Sequence, residues 1–193
     1  MAAEEQEQEV DFKRIIWMCV MAVAGTLIVA LAIAFFIRSS QYTSFYDDYY
    51  KIRIKYPKKW SVFKDLGGTI VAFRAPQDDV LDNFTENLNI SVSDLPPKGM
   101  TLEQYSKIAI EQTESVFQGS IEKVESQAIE FAGFSAYSYT MKATQEPLLH
   151  MRFIWFFKDN KAYVITYAIQ TLQYKKYIGK LNYMLSSFAI GAK

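Results

Sequence analysis

The stretch FIWFFKDNKAYVITYAIQ, residues 153–170, predicts a β-hairpin in the C-terminal half of the chain. Two runs rich in aromatic and β-branched residues flank the residues KDNK, and Asp159 and Asn160 at its centre are residue types that favour tight turns. Both runs are too apolar to form an exposed sheet edge. We therefore expect the hairpin to belong to a packed antiparallel sheet.

Short segments on the N-terminal side of this hairpin predict further strands. In residues 50–56, YKIRIKY, apolar side chains alternate with Lys51, Arg53 and Lys55, which is typical of a strand with one buried face and one charged face. The remaining strands are predicted over residues 69–75, 87–93, 121–131, 134–143, 148–157 and 161–170.

Two helices are predicted beside these strands. Thr101 and Gln104 have capping-box spacing, and apolar residues at helical spacing follow as far as Gly119, so we expect a helix over residues 102–117. Residues 172–188 place their apolar side chains on one helical face, which predicts a closing helix packed on the sheet. The fold class is therefore α+β, an antiparallel sheet flanked by helices.

The composition excludes several classes of protein. Half of the 193 residues are hydrophobic and only eight are glycine, so a wholly disordered or collagenous chain is excluded. Lysine plus arginine and aspartate plus glutamate are equal at 21 each, which argues against a nucleic-acid partner. One cysteine and one histidine exclude a disulfide framework and a zinc site built from those residue types.

Residues 15–37, IIWMCVMAVAGTLIVALAIAFFI, carry no charge and predict a single transmembrane helix. At about 1.5 Å per residue such a helix spans a hydrocarbon core about 30 Å thick. A signal peptide would have a shorter apolar run and a small-x-small cleavage site, whereas this run ends in FFIRSSQY. The acidic residues 1–14 lack an apolar pattern and are expected to form a disordered tail.

The charges that flank the apolar run favour a cytoplasmic N-terminus. Lys13 and Arg14 precede the run directly, whereas only Arg38 follows it closely. Lys51, Arg53 and Lys55 add positive charge on the C-terminal side, but they belong to a folded domain that should translocate largely regardless of charge. The expected location is a membrane, with the domain extracytoplasmic, either periplasmic or lumenal.

Four small residues, Ala22, Thr26, Ala30 and Ala34, lie four positions apart within the apolar run. This spacing places them on one stripe of the helix, where a neighbouring helix could pack closely. An alanine-rich span also produces such a stripe by chance. The packing interpretation predicts a membrane protein partner or self-association through this helix.

An aromatic segment, residues 38–49, follows the apolar run and leads into the domain over residues 50–190. Its aromatic residues, together with Tyr50 directly after it, are Tyr42, Phe45, Tyr46, Tyr49 and Tyr50. One interpretation is packing in the core and against lipid headgroups, where aromatic side chains are common. The other is a docking surface for a neighbouring membrane subunit.

Neither metal binding nor catalysis has a strong sequence signal. Asp78, Asp79, Asp82 and Glu86 are the best candidate metal ligands, because hard cations take oxygen ligands, but their spacing lacks the EF-hand pattern and a solvated loop is the competing interpretation. His150 lies in a strand-like run, where a histidine is more often a structural residue than a catalytic base. We expect no cofactor and no enzymatic activity.

Several segments together resemble the PsbP-like family, whose fold is shared with DcrB-like periplasmic lipoproteins and a Ran-binding nuclear import factor. They are YKIRIKYPKKW (residues 50–60), GTIVAFRAP (68–76), NLNISVSDLPPKGMTLEQY (87–105), IEFAGFSAYSYT (129–140) and FKDNKAYVITYAIQTLQYKKY (157–177). The resemblance implies an α/β/α sandwich in an extracytoplasmic accessory protein without enzymatic activity. A transmembrane span departs from the cleaved targeting sequence or lipid anchor of the relatives.

Two functions follow as hypotheses. The first is a non-enzymatic accessory or assembly subunit, anchored by one span, that docks its PsbP-like domain on a larger membrane complex, photosynthetic or otherwise electron-transferring. The alternative is a membrane-tethered domain that binds a small ligand or lipid between sheet and helices, where Trp60, Trp155, Tyr163 and Tyr167 could line a pocket. A third hypothesis is a membrane-anchored hydrolase that uses His150.

Overall fold

The computed structural model describes residues 17–18, 20–21, 23–33, 40–77, 84–95 and 99–191 of the chain. The chain divides into two compact units, one over residues 1–42 and one over residues 43–193.

The first unit contains helical backbone at residues 23–33, where Thr26 Oγ1 donates a hydrogen bond to the Val23 carbonyl at 2.9 Å. Thr26 and Ala30 of the predicted packing stripe lie in this helical stretch, whereas Ala22 and Ala34 lie outside the described residues. The predicted tail, residues 1–14, lies outside them too. Within the part of the chain that the structure describes, no helix combines the length and apolar character needed to cross a membrane.

A seven-stranded antiparallel sheet forms the centre of the second unit. Its order is β3-β4-β5-β9-β8-β7-β6. The strands are β3 (Ser61–Leu66), β4 (Thr69–Arg74), β5 (Asn87–Asp94), β6 (Ile121–Phe131), β7 (Phe134–Ala143), β8 (Leu149–Lys158) and β9 (Lys161–Gln170).

The predicted hairpin is confirmed as β8 and β9, which pair from Leu149 opposite Gln170 to Lys158 opposite Lys161. Asp159 and Asn160 form its two-residue turn with φ values of 49° and 57°. Positive φ at both central positions suits the twist of an antiparallel pair, and Asp and Asn tolerate it better than most residues. The hairpin strands lie in the interior of the sheet, as their apolar composition requires.

A second, three-stranded sheet has the order β1-β2-β10. Its strands are β1 (Tyr42–Asp47), β2 (Ile52–Pro57) and β10 (Ala189–Ile190). The strand predicted over residues 50–56 begins two residues later, because Lys51 adopts a φ of 56° within the turn after β1. The predicted juxtamembrane segment, residues 38–49, therefore contains a strand of this small sheet.

Two helices accompany the sheets, α1 (Leu102–Val116) and α2 (Tyr174–Ser186). The capping box at the start of α1 is confirmed, because Gln104 N donates to Thr101 Oγ1 at 3.1 Å and Thr101 N donates to Gln104 Oε1 at 3.0 Å. The second helix was predicted to begin at Leu172, but Thr171–Gln173 form a 3-10 helix instead. Leu172 is consequently 97% exposed and does not belong to the buried helical face.

The helices cover opposite faces of the large sheet. On one face, α1 packs over Tyr139, Met141 and Trp155. On the other face, Tyr177 and Leu181 of α2 belong to the larger cluster of buried residues, which includes Ile154, Phe156 and Ile165 of the sheet and Ile52 and Ile54 of the small sheet. This arrangement confirms the predicted α+β class with an antiparallel sheet.

A buried hydrogen bond joins α1 to the sheet and yields the first prediction. Trp155 Nε1 donates to Ser106 Oγ at 2.7 Å, and both side chains are buried. Ser106→Ala leaves the indole N–H without its acceptor, and we expect the free energy of unfolding to fall by about 1–3 kcal/mol. Urea unfolding of the full chain, followed by tryptophan fluorescence, measures this change.

Ser115→Ala is the matched control, because Ser115 Oγ is exposed and donates only to the Gln112 carbonyl within the same helix. Its free energy of unfolding should change by at most about 0.5 kcal/mol. Equal unfolding midpoints for the Ser106→Ala and Ser115→Ala variants would contradict the role of this hydrogen bond.

Candidate functional site

The predicted docking aromatics do not share one surface. Phe45 is buried at 6% exposure, with its ring edge-on to Phe73 at 5.6 Å between centroids. Tyr42, Tyr46 and Tyr50 are half-buried, and only Tyr49 is largely exposed, at 80%. Tyr42 and Asp47 are the two ends of β1, and at about 3.3 Å per residue they lie about 17 Å apart.

The exposed aromatic lies on a constrained turn, residues 48–51, between β1 and β2. Tyr50 N donates to Asp47 Oδ1 at 2.7 Å, and Gly191 N donates to the Lys51 carbonyl at 3.2 Å. The Tyr49 ring stands edge-on to Tyr50 at 4.7 Å, and Tyr50 in turn contacts Tyr163 at 6.4 Å. These contacts hold an exposed tyrosine on a structured part of the surface.

A groove of about 440 Å³ lies beside this turn and reaches the tip of the β8–β9 hairpin. We call it the turn groove, and it is lined by Tyr49, Tyr50, Lys51, Lys158, Lys161 and Tyr163 among others. Lys161 Nζ pairs with Asp94 Oδ1 at 2.8 Å, and Lys158 pairs with Asp159. The hydrogen bond that Lys161 donates to the Asp94 carboxylate raises the pKa of Lys161, so this lysine carries its charge at neutral pH.

Of the four candidate metal ligands, only Glu86 lies within the described residues. Asp78, Asp79 and Asp82 lie outside the described residues, whereas Glu86 is described and buried at 1% exposure. The Glu86 carbonyl accepts a hydrogen bond from Ala75 N at 2.8 Å. Among the described residues, no group of three or more His, Cys, Asp or Glu side chains could hold a metal ion.

His150 is a half-buried residue of β8 that contacts an aromatic ring. Its ring lies 4.4 Å from that of Tyr174, centroid to centroid, and Lys142 is its register partner on β7. Burial lowers the pKa of His150, and the nearby Lys142 charge lowers it further, while Glu122 acts in the opposite direction. The histidine is therefore neutral at physiological pH and packed as a structural residue.

The four aromatic residues that were candidates for one ligand pocket are buried in the core, although Tyr163 also lines the turn groove and Tyr167 lines a second cavity. Trp155 lies in the cluster under α1, at 1% exposure. Trp60, Tyr163 and Tyr167 lie in the cluster on the other face of the sheet, each at 5% exposure or less. The sheet thus separates Trp155 from the other three.

A cleft between α2 and strands β6 to β8 shares Tyr167 with the ligand pocket predicted from the sequence, but the rest of its lining was not predicted. It consists of two adjoining cavities of about 400 and 350 Å³, and both are lined by Arg152 and Asn182. We call it the Arg152 cleft. The sequence signal that could have revealed it is a single arginine within the largely buried strand β8, because a charge at such a position needs a polar environment.

The fold is that of an α+β sandwich. It has an antiparallel seven-stranded sheet with one helix on each face, and a small second sheet. A family model described as PsbP matches residues 40–190, which is most of the chain. The chain belongs to the PsbP family.

Solved structures agree on the fold. Cyanobacterial PsbP (CyanoP) from Synechocystis sp. PCC 6803 is 16% identical, with a TM-score of 0.59 over 78% of this chain and 93% of that chain. LpqN of Mycobacterium tuberculosis, involved in cell envelope biogenesis, is 11% identical, with a TM-score of 0.56 over 79% and 91%. The Saccharomyces cerevisiae Ran-binding protein Mog1p is 9% identical, with a TM-score of 0.53 over 77% and 95%. No curated protein matches the chain.

The environment of His150 yields a prediction about pH. The chain has one histidine, so an untagged sample gives a single histidine Hε1 resonance in a proton NMR titration. We expect a pKa below the usual 6.5, because burial and Lys142 disfavour the charged ring. Lys142→Gln should move this pKa upward, whereas Lys175→Gln, on α2, should leave it nearly unchanged.

The lowered pKa of His150 also predicts how the free energy of unfolding depends on pH. The folded-state pKa lies below the unfolded value, so protonation favours the unfolded state. The contribution of His150 to the free energy of unfolding is therefore present above pH 6.5 and declines as the pH falls through the folded pKa. A titration midpoint above 6.5 would contradict the described burial.

Proposed function

We propose that this protein is a non-enzymatic accessory subunit that holds a PsbP-family domain against a larger membrane complex. Two features support the proposal: the family domain occupies residues 40–190, and an uncharged apolar run over residues 15–37 comes immediately before it. The solved relative CyanoP is described as a cyanobacterial PsbP, which favours a complex of the photosynthetic or electron-transfer kind.

In this proposal residues 15–37 anchor the chain as a single transmembrane helix. Lys13 and Arg14 favour retention of the N-terminal tail in the cytoplasm, which places the domain on the extracytoplasmic side. The small residues Thr26 and Ala30 lie four positions apart on the helical stretch and suit close packing against a helix of the partner or of a second copy.

The turn groove is the docking surface in this proposal, and Tyr49 is its principal contact. The observation that carries the proposal is an 80% exposed tyrosine held on a hydrogen-bonded turn beside Tyr50 and Tyr163. Tyrosine is enriched at the centres of protein interfaces, because a ring with few rotatable bonds buries a large area at low entropic cost. Lysines at the rim would set the orientation of an acidic partner surface.

The docking role predicts that Tyr49→Ala weakens association with the partner complex. Loss of a central aromatic contact typically costs about 1–2 kcal/mol, so we expect about a tenfold loss of affinity. Extraction of the full chain in a mild detergent, followed by native electrophoresis over a dilution series, measures the fraction that migrates with a larger complex.

Leu172→Ala is the control for this experiment. Leu172 is even more exposed, at 97%, but it follows β9 at the end of the sheet opposite the hairpin tip, so its truncation should leave association unchanged. Migration of the parent chain as a lone monomer at every dilution would refute the accessory role. Association that survives Tyr49→Ala but is lost with Leu172→Ala would move the docking surface to the opposite end of the domain.

A further inference from the structure

We propose that the Arg152 cleft binds an organic oxyanion with an apolar body, a carboxylate or phosphate head on a short hydrocarbon chain. The cleft runs between α2 and the β6–β8 part of the large sheet. Its two adjoining cavities of about 400 and 350 Å³ each have the size of a small-molecule site. This inference is independent of the docking role of the turn groove.

Arg152 is held in position by its neighbours on the sheet. Its Nε donates to Ser138 Oγ at 2.9 Å, and Ser138 is fully buried. Burial raises the pKa of the adjacent Tyr167 to about 12, although the charge and hydrogen bond of Arg152 act against that rise. The hydrogen bond to Ser138 therefore orients the guanidinium next to Tyr167, its register partner on β9. An oriented guanidinium can offer its remaining N–H groups as a fork to an oxyanion.

Within the part of the chain that the structure describes, the charge of this arginine has no counter-ion at short range. Among the described residues, no carboxylate lies within 4.0 Å of the Arg152 guanidinium. Glu125 lines the same cavity, but its Oε1 accepts a hydrogen bond from Gln127 Nε2 at 2.7 Å, and Glu130 lines the other cavity. A half-buried arginine without an ion pair is costly, and an oxyanion from outside would supply the missing charge.

The rest of the cleft suits an apolar body next to that head. Ile154, Leu185 and Phe188 line the first cavity and are buried at 7% exposure or less. Phe131 completes this wall, with its ring stacked on Phe188 at 5.3 Å. Asn182, exposed on α2, lies on the lining of both cavities and can donate to the same head group. Arg152 beside this apolar wall favours an amphipathic anion over a purely polar one, while Glu125 and Glu130 on the lining oppose its charge.

The test uses the full chain in nanodiscs of zwitterionic lipid, with hexanoate, hexyl phosphate and acetate as probes. Saturation-transfer NMR measures binding of each probe. We expect hexanoate, hexyl phosphate or both to bind, with the stronger of the two identifying the head group, and acetate to bind at least tenfold more weakly. Arg152→Gln should abolish binding, and Arg152→Lys should weaken it because the fork is lost while the charge remains.

Three variants at exposed residues keep the test independent of folding. Asn182→Asp places a negative charge on the exposed lining and should weaken hexyl probes about tenfold, whereas the same change at the hairpin tip, Asn160→Asp, should have no effect. Glu125→Gln removes an opposing charge and should strengthen binding. Absence of binding by both hexyl probes, or equal binding by the Asn182→Asp and Asn160→Asp variants, would overturn the inference and leave the docking proposal untouched.

Discussion

Strands β8 and β9 are buried on both faces of the large sheet, and the need to cover both faces determines where the two helices lie. On β8, Trp155 points into the cluster under α1, while Ile154 and Phe156 belong to the cluster on the other face. Each fully buried side chain of this size contributes about 1.5–3 kcal/mol when it is removed from water. Neither face can be left open, so the sheet requires a helix on each side. The Trp155–Ser106 and Tyr139–Glu114 hydrogen bonds then fix α1 on the first face.

The two faces are covered differently, and this difference produces the candidate sites. α2 has 13 residues and shares its face with the small sheet, so it leaves the β6–β8 corner partly open, and the Arg152 cleft lies in that opening. The small sheet adds the β1–β2 turn, which meets the β8–β9 hairpin tip through the contact between Tyr50 and Tyr163. The turn groove and the Arg152 cleft are therefore consequences of how one double-sided sheet is closed.

The sequence predicted those elements whose signals are local. Two such signals are the hairpin turn at Asp159 and Asn160 and the capping box at Thr101. Each depends on residues within four positions of one another, and both predictions are confirmed. β3 was not predicted, because SVFKDL at a sheet edge has five exposed residues out of six and no clean alternation. The burial of Phe45 and the position of Arg152 depend on contacts between residues distant in the sequence. Periodicity along one strand cannot reveal such contacts.

Protease treatment of sealed right-side-out vesicles tests the proposal that this chain is a membrane-tethered docking domain on the extracytoplasmic side. We expect protease added outside to cleave between the apolar run and the domain, while an epitope in residues 1–14 stays protected. We also expect that alkaline carbonate does not extract the uncleaved chain. Release of the intact chain by carbonate, or cleavage of the tail with full protection of residues 43–193, would contradict the proposal.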